Sequence, residues 1–173
     1  MRFHSQNQEA RERDARAELE AQEQERDKQR DRDIQWLREA RFFAQRSKDP
    51  STKVAAFIVR PDNTLASQGY NGYPKGMKDE PETDRDRKLG KTIHAEMNAL
   101  LEARERVVGY TMYTTHPTCE RCAVHAIQAG IKRVVSIEPS LDLLSRWEKS
   151  LQMALDFYKE KGVEVVWISE QSI

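Results

Sequence analysis

The chain has 173 residues, the length of one ordinary domain. Its 29 basic and 29 acidic side chains cancel, so the sequence carries no basic footprint for nucleic acid. It contains two cysteines and no apolar run long enough for a signal peptide or a membrane span, which excludes a disulfide framework and predicts a reducing, cytoplasmic location.

Charge is concentrated in residues 1–33, which carry 8 basic and 10 acidic side chains. Helix-forming residues dominate this segment, and opposite charges stand four residues apart, as at Arg16 and Glu20. After Phe3, only Leu19 and a few alanines are apolar, so the segment lacks the repeating apolar positions of a coiled coil. We interpret it as a charged helical or disordered extension. An RNA-binding arm is the alternative, which the net charge of −2 disfavours.

Hydrophobic periodicity over residues 34–173 predicts one folded domain of alternating helices and strands. The first two strands form a hairpin, whereas single helices separate the later strands and make their neighbours parallel. The pattern predicts a three-layer α/β/α fold with a mixed five-stranded sheet. In chain order we expect first a helix over 34–47, whose aromatic residues Trp36, Phe42 and Phe43 we assign to the core, then a buried strand over 52–59, a strand over 64–68, a glycine-rich loop over 69–76 and a mobile charged loop or lid over 78–91. These are followed by a helix over 97–103, a strand over 110–115, a helix over 122–127 that Gly130 ends, a strand over 131–137, a helix over 145–161 and a strand over 163–168.

The chemistry of the chain is concentrated in His94-Ala95-Glu96 and in Cys119-Glu120-Arg121-Cys122. One histidine and two cysteines can supply three ligands to Zn²⁺, which leaves the fourth tetrahedral position for water, as in catalytic zinc sites. The predicted helices place both motifs at helix starts, whose positive dipole ends favour ionised thiols. A His-x-Glu followed by a Cys-x-x-Cys is typical of the zinc-dependent nucleobase deaminases.

A Cys-x-x-Cys pair has two other interpretations, a redox pair or half of a structural zinc knuckle. A knuckle needs four ligands, and the sequence has no second cysteine pair. A redox pair would make no use of His94 and Glu96. We interpret His116, which precedes Pro117, as a loop residue, and His125 as a packed or exposed helix residue.

Residues 34–168 resemble the deoxycytidylate (dCMP) deaminase family, which is part of the cytidine deaminase superfamily. The zinc motifs are shared by the whole superfamily. Segments 47–54 and 69–76 narrow the resemblance to the dCMP deaminases. One departure is Thr118, which stands where the family usually has proline directly before the first cysteine; the extension over 1–33 has no family counterpart. The segments that carry the resemblance are 47–54, Gly69-Tyr70-Asn71-Gly72 with Pro74 and Gly76, 94–99, Cys119 to Ala123, and 130–135.

The resemblance implies a cytidine deaminase-like fold and an enzyme that hydrolyses dCMP to dUMP and ammonia, supplying dUMP for thymidylate synthesis. It implies one catalytic Zn²⁺ per chain, held by His94, Cys119 and Cys122, with Glu96 as the catalytic acid and base. It also implies a homo-oligomer, by preference a hexamer, activated by dCTP with Mg²⁺ and inhibited by dTTP.

The resemblance also implies where nucleotides bind. Asn71 should contact the sugar 3′-hydroxyl, and backbone groups near Ala95 and Cys119 should contact the reacting centre. The 5′-phosphate needs cations, for which the candidates are Lys53, Arg121, Lys132 and Arg146. The implied allosteric residues are Gly69, Tyr70, Asn71, Gly72, Tyr73 and Lys75.

Two other function classes stay open. Another enzyme of the superfamily, such as a tRNA adenosine deaminase or a nucleoside or base deaminase, would share the zinc motifs, although the neutral charge and the 49–52 loop disfavour tRNA. A non-catalytic zinc-binding interaction module would use the charged extension to bind its partner. Glu96 disfavours this module, because a structural zinc does not need that carboxylate.

Overall fold

A computed structural model describes residues 2–78 and 82–173 of the chain. The elements are α1 (Arg2–Ala44), β1 (Ala55–Val59), β2 (Leu65–Tyr70), α2 (Arg85–Lys91), α3 (Ala95–Glu102), β3 (Thr111–Thr114), α4 (Glu120–Ala129), β4 (Arg133–Ile137), α5 (Leu141–Lys161), β5 (Glu164–Ile168) and a 3-10 helix (Glu170–Ser172). Within the described residues, five strands form one sheet in the order β2-β1-β3-β4-β5. β1 is antiparallel to β2 and β3, whereas β3, β4 and β5 are parallel. The predicted α/β fold with a mixed five-stranded sheet is confirmed.

Helices cover both faces of the sheet. α1 lies on one face, where Leu37 and Ala40 are fully buried in one apolar cluster with Phe57 and Tyr113. α3, α4 and α5 lie on the other face, where small residues such as Ala99 allow a close approach to the strands. β1 is buried along its whole length, as its unbroken apolar run predicts.

α1 is one continuous helix that crosses the boundary predicted after residue 33. The side chains of residues 13–28 are exposed on every side of the helix, and Arg16 pairs with Glu20 as the spacing predicts. Gln29, which is half-buried, donates a hydrogen bond to the buried Asp33 (2.9 Å). None of the helices in the described part of the chain combines the length and the apolar character needed to cross a bilayer.

The aromatic residues of α1 do not all enter the core as predicted. Phe42 is 84% exposed, whereas its neighbour Phe43 packs edge-on against Phe57 (5.4 Å between ring centroids). Adjacent helical residues lie about 100° apart around the axis, so the two rings cannot both face the sheet. Placing Phe42 in the core was therefore wrong.

The segment predicted as a mobile loop over 78–91 contains the helix α2, although residues 79–81 of that prediction lie outside the described residues. Asp84 caps α2 by accepting hydrogen bonds from two amides of the first turn. Lys88 forms an ion pair with Asp49 (Nζ–Oδ2 3.0 Å), so α2 is tied to the loop that follows α1. The other predicted helices and strands are present, with their ends shifted by a few residues.

Asp33 anchors α1 to the sheet. Its side chain is 2% exposed and accepts two hydrogen bonds from the Arg133 guanidinium at the start of β4 (2.8 and 2.7 Å). The Tyr113 hydroxyl donates a third (2.8 Å), and Glu164 on β5 also pairs with Arg133 (3.1 Å). Because a buried carboxylate is costly without partners, this cluster fixes which turn of α1 meets the sheet.

Arg133→Met should lower the free energy of unfolding by about 3–5 kcal/mol, because it leaves the Asp33 carboxylate buried without its cation. Urea denaturation followed by circular dichroism measures this change. The control, Arg41→Met, breaks an exposed ion pair with Glu170 and should cost at most about 1 kcal/mol. Equal losses in the two variants would show that the Asp33 cluster does not anchor α1.

Candidate active site and metal centre

The candidate site lies at the edge of the sheet where β3 ends, between the first turns of α3 and α4. His94 is the N-cap of α3 and Cys119 is the N-cap of α4. Gly72 exchanges two backbone hydrogen bonds with Ile93 (3.1 and 2.8 Å), which holds the residue before His94 against the end of β2. The two predicted helix starts are therefore present, and their positive dipole ends lie beside the cysteines.

His94, Cys119 and Cys122 converge at this point. The His94 Nδ1 atom lies 3.5 Å from the Cys119 Sγ atom and 3.4 Å from the Cys122 Sγ atom. Among the described residues, this is the cluster whose ligand atoms, all within 4.8 Å of one another, could hold a metal ion. One imidazole nitrogen and two thiol sulfurs suit Zn²⁺ and leave a fourth tetrahedral position open.

The close contacts among these three groups shift their pKa values. The hydrogen bond with Cys122, helped by the one with His94, lowers the pKa of Cys119 to about 4. The contact with Cys119, together with burial, raises the pKa of Cys122. The hydrogen bond with Cys119 also raises the pKa of His94. Binding of a divalent cation would release these protons, because thiolates and neutral imidazole are the forms that ligate metals.

Glu96 is the second residue of α3, and its side chain lies inside the site. The residue is 3% exposed, and burial raises the pKa of its carboxyl to about 7. Glu96 follows His94 by two residues; the charge of His94 lowers this pKa, and the charge of Cys119 raises it. A carboxyl that gains and loses a proton near neutral pH is suited to general acid and base catalysis.

Two buried hydroxyls, whose contact the sequence did not predict, lie behind Cys119. The Tyr158 hydroxyl of α5 contacts the Thr118 hydroxyl at 3.0 Å, and the two residues are 1% and 4% exposed. Burial raises the pKa of Tyr158, and the charges of Glu96 and both cysteines add to this rise. The apolar helix pattern around Tyr158 predicts its burial but gives no sign of this contact.

Asn71 lies in a buried backbone bridge. Its Oδ1 atom accepts a hydrogen bond from the Val54 amide (2.8 Å), and its Nδ2 atom donates one to the Thr52 carbonyl (2.9 Å). Its own carbonyl accepts a hydrogen bond from the Ser47 hydroxyl (2.8 Å). Asn71 therefore holds the connection between α1 and β1. The side-chain amide has two N–H donors, so the second can still serve a ligand.

The cations considered for phosphate binding lie in different places. Lys53 is exposed and donates a hydrogen bond to a backbone carbonyl at the end of α1 (3.3 Å). Arg121 is exposed in the first turn of α4, and Arg146 pairs with Asp142 in the first turns of α5. Lys132 precedes β4 and so lies at the opposite edge of the sheet from Cys119, which disfavours it as a phosphate ligand.

The glycine-rich segment 69–76 is partly strand, since β2 continues through Tyr70. A Cβ atom at Gly69 would lie 2.3 Å from the Ala99 amide nitrogen, so glycine is required for β2 to pack directly on α3. Among the other predicted allosteric residues, Tyr70 packs its ring on Phe43, and Gly72 forms backbone hydrogen bonds with Ile93. The centre of the Tyr73 ring lies 4.2 Å from the Lys91 Nζ atom, and Lys75 forms an ion pair with Glu102. The segment thus holds α3, and with it His94, against the sheet.

Comparison with known proteins places this site in a family. Residues 30–138 match the family model described as the cytidine and deoxycytidylate deaminase zinc-binding region. The matched range contains His94, Glu96, Cys119 and Cys122.

Individual relatives agree with the family match. The chain is 42% identical over 135 residues to an uncharacterized deaminase in the luxG 3′ region of Aliivibrio fischeri, which covers 78% of this chain and 91% of that protein. It is 41% identical over 100 residues to human deoxycytidylate deaminase, which covers 53% of this chain. The chain spans only 56% of the length of the human and mouse enzymes. The crystal structure of dCMP deaminase from the cyanophage S-TIM5, in complex with dCMP and dUMP, superimposes with a TM-score of 0.64 at 26% identity, covering 77% of this chain and 93% of that one.

His94→Ala should abolish zinc binding, because it removes one of three ligands. Elemental analysis of purified, dialysed protein should find about one Zn²⁺ per chain before the substitution and almost none after it. The control is His116→Ala. His116 is a loop residue whose Nδ1 atom lies 3.2 Å from the Thr115 carbonyl oxygen, so this variant should keep its zinc. Zinc retained by His94→Ala but lost by His116→Ala would contradict the ligand set.

Proposed function

Because the chain belongs to the cytidine and deoxycytidylate deaminase zinc-binding family, we propose that it hydrolyses dCMP to dUMP and ammonia and so supplies dUMP for thymidylate synthesis. The observation that carries the proposal is the buried Glu96 carboxyl beside the cluster of His94, Cys119 and Cys122. The likeness to human deoxycytidylate deaminase and to the cyanophage enzyme supports dCMP as the substrate.

His94, Cys119 and Cys122 are the residues that would hold Zn²⁺. When bound, this ion makes a water molecule acidic enough to serve as a nucleophile near neutral pH. Glu96 would take a proton from this water as its oxygen attacks C4 of cytosine, and would give a proton to N3. It would then take the remaining proton of the attacking oxygen and give it to the amino group, so that the C4–N bond breaks, a C4=O bond forms and ammonia leaves. Burial raises the pKa of the Glu96 carboxyl from its ordinary value, which favours its acting as an acid as well as a base.

Substrate recognition is proposed to involve groups around this centre. Asn71 would use its second N–H to contact the sugar 3′-hydroxyl. Ala95 is fully buried at the first position of α3, where the backbone N–H groups of a helix are available to stabilise negative charge. Lys53, Arg121 and Arg146 remain the proposed partners of the 5′-phosphate.

We propose that the chain forms a homo-oligomer, by preference a hexamer. Leu101 on α3, Val108 in the loop after it and Val124 on α4 are 66%, 56% and 50% exposed. Large apolar side chains exposed on neighbouring elements favour burial against a partner. A second copy of the chain could cover them.

Regulation by dCTP with Mg²⁺ and by dTTP is proposed to act through residues 69–76. Gly72 is bonded to Ile93, the residue directly before His94. Gly69 packs against the backbone of α3 without room for a Cβ atom. A nucleotide that shifted this segment would therefore move the start of α3, which holds one zinc ligand and Glu96.

The proposed chemistry needs reduced cysteines. Cys119 and Cys122 are free thiols. Their oxidation would remove two of the three zinc ligands. We therefore propose a cytoplasmic location, where thiols are kept reduced.

Glu96→Gln should keep the fold and the bound zinc but lower the rate of dCMP turnover by about three orders of magnitude, because an amide cannot relay the proton. Release of ammonia measures turnover, and elemental analysis measures zinc. The control is Glu105→Gln, which changes an exposed carboxylate paired with Arg60 and should leave turnover unchanged. Near-normal turnover in Glu96→Gln would remove Glu96 from the mechanism.

A substrate panel tests the proposed class of nucleotide, with ammonia release measured in the presence and absence of dCTP and dTTP. The panel contains dCMP, CMP, dCTP, deoxycytidine, 5-methyl-dCMP and a tRNA anticodon stem. We expect turnover to be confined to deoxycytidine monophosphates. Turnover of the tRNA stem or of deoxycytidine alone would place the chain in another branch of the superfamily.

We propose that the catalytic domain, predicted from the sequence to begin at residue 34, also needs the turn of α1 that contains Gln29 and Asp33. Deletion of residues 1–24 should leave the free energy of unfolding and dCMP turnover unchanged, because the side chains removed are exposed where the structure describes them. Deletion of residues 1–33 should destabilise the protein, because it leaves Arg133 half-buried without Asp33. Urea denaturation and ammonia release provide the two readouts. Loss of turnover in the shorter deletion would make the extension part of the enzyme.

A further inference from the structure

The contact between Thr118 and Tyr158 has no part in the reaction scheme. Both side chains are almost fully buried, and their hydroxyl oxygens lie 3.0 Å apart. The contact joins α5 to the residue directly before Cys119. It therefore connects a helix that supplies no metal ligand to the loop that delivers one.

The direction of the Cys119 side chain depends on the backbone at this point. Cys119 is the N-cap of α4, and its Sγ atom both accepts a hydrogen bond from the Cys122 amide (3.5 Å) and lies beside the His94 Nδ1 atom. Pro117 has its φ angle fixed by its ring, whereas Thr118 has two free backbone dihedrals. A contact that fixes the Thr118 side chain therefore also restricts the orientation of the Cys119 side chain.

Tyr158 is a firm support for this loop. Its ring lies in the core cluster that contains Ala123 and Ala126 of α4 and Val134 of β4. α5 also contacts the first turn of α4, through the hydrogen bond from the Ser150 hydroxyl to Glu120. With its ring packed and its helix tied to α4, the Tyr158 hydroxyl has a fixed position from which to hold Thr118.

We propose that the hydrogen bond between Tyr158 and Thr118 positions Cys119 for metal binding and slows the release of zinc. Both are positioning residues, since they act through Cys119 and do not touch the reacting atoms. The inference rests on the proposed function only in that the site binds Zn²⁺. It predicts that the hydroxyl pair affects the metal, beyond its effect on the stability of the fold.

The test removes one hydroxyl at a time, with little change of shape, in Thr118→Val and in Tyr158→Phe. We expect zinc transfer to a chromogenic chelator to become about tenfold faster in each variant, as is common when groups behind metal ligands are altered. In the Co²⁺-substituted protein, the sulfur-to-cobalt absorption band should shift or weaken. Thr118→Ser keeps a hydroxyl and should restore the release rate of the unsubstituted protein.

A double variant separates positioning from stability. Each single substitution leaves a buried hydroxyl unpaired and so destabilises the fold, whereas Thr118→Val with Tyr158→Phe removes both groups and should recover most of the stability. In the double variant we expect zinc release to stay fast. Slow release together with recovered stability would overturn the proposal, because the pair would then act only on the fold.

Tyr113→Phe is the matched control. It removes another buried tyrosine hydroxyl, the one that donates to Asp33 on the opposite face of the sheet. We expect lower stability with unchanged zinc release. If Tyr113→Phe released zinc as fast as Tyr158→Phe does, the faster release would follow from lower stability of the fold in general, and the proposal would be overturned. Neither metal readout uses a nucleotide, so failure to deaminate dCMP would refute the proposed substrate and leave this test intact.

Discussion

The convergence of one imidazole nitrogen and two sulfurs within 4.8 Å is the constraint on which the rest of the structure depends. His94 and Cys119 are the caps of two different helices, so α3 and α4 must begin at the same edge of the sheet. α3 is held there by β2, which packs on it at Gly69 without room for a Cβ atom. α4 is held there by β3 and by the buried contact from α5. The parallel arrangement of β3 and β4 keeps the carboxyl edge of both strands on this side.

Two buried carboxyls show how the same chemical group is used differently at the two edges of the sheet. Asp33, at the edge away from the site, accepts two hydrogen bonds from Arg133 and one from Tyr113 and anchors α1. Glu96 is equally buried, but there burial is the dominant effect and raises the pKa to about 7. The Asp33 carboxylate is held in place by its cation and hydroxyl partners, whereas desolvation raises the pKa of the Glu96 carboxyl. This difference makes the first a structural group and suits the second to the proton transfer that we propose.

The sequence predicted the features that depend on local patterns. The sheet, the two helix starts and the set of His94, Glu96, Cys119 and Cys122 follow from spacing and helix propensity over short stretches. The contacts of Asp33 with Arg133 and of Thr118 with Tyr158 join residues 100 and 40 positions apart, and no periodicity reports such pairs. Phe42 was misplaced for a related reason, because composition does not say which of two adjacent aromatic residues faces the sheet. The charged segment before His94 was taken for a loop, since the cap at Asp84 and the ion pair of Lys88 become visible only in the fold.

The departure from the family pattern at Thr118 has a physical meaning in this fold. A proline directly before the first cysteine would fix its own φ angle through its ring, so the loop would need no outside support there. Thr118 has no ring to restrain its φ angle. In the proposed positioning role, the contact of its hydroxyl with Tyr158 restrains the loop instead. The family match ends at residue 138, whereas α5 spans residues 141–161. The orientation of a zinc ligand in this chain would thus depend on a helix that lies outside the matched zinc-binding region. The motif alone therefore does not define the metal centre, because part of what holds Cys119 is supplied by the C-terminal part of the fold.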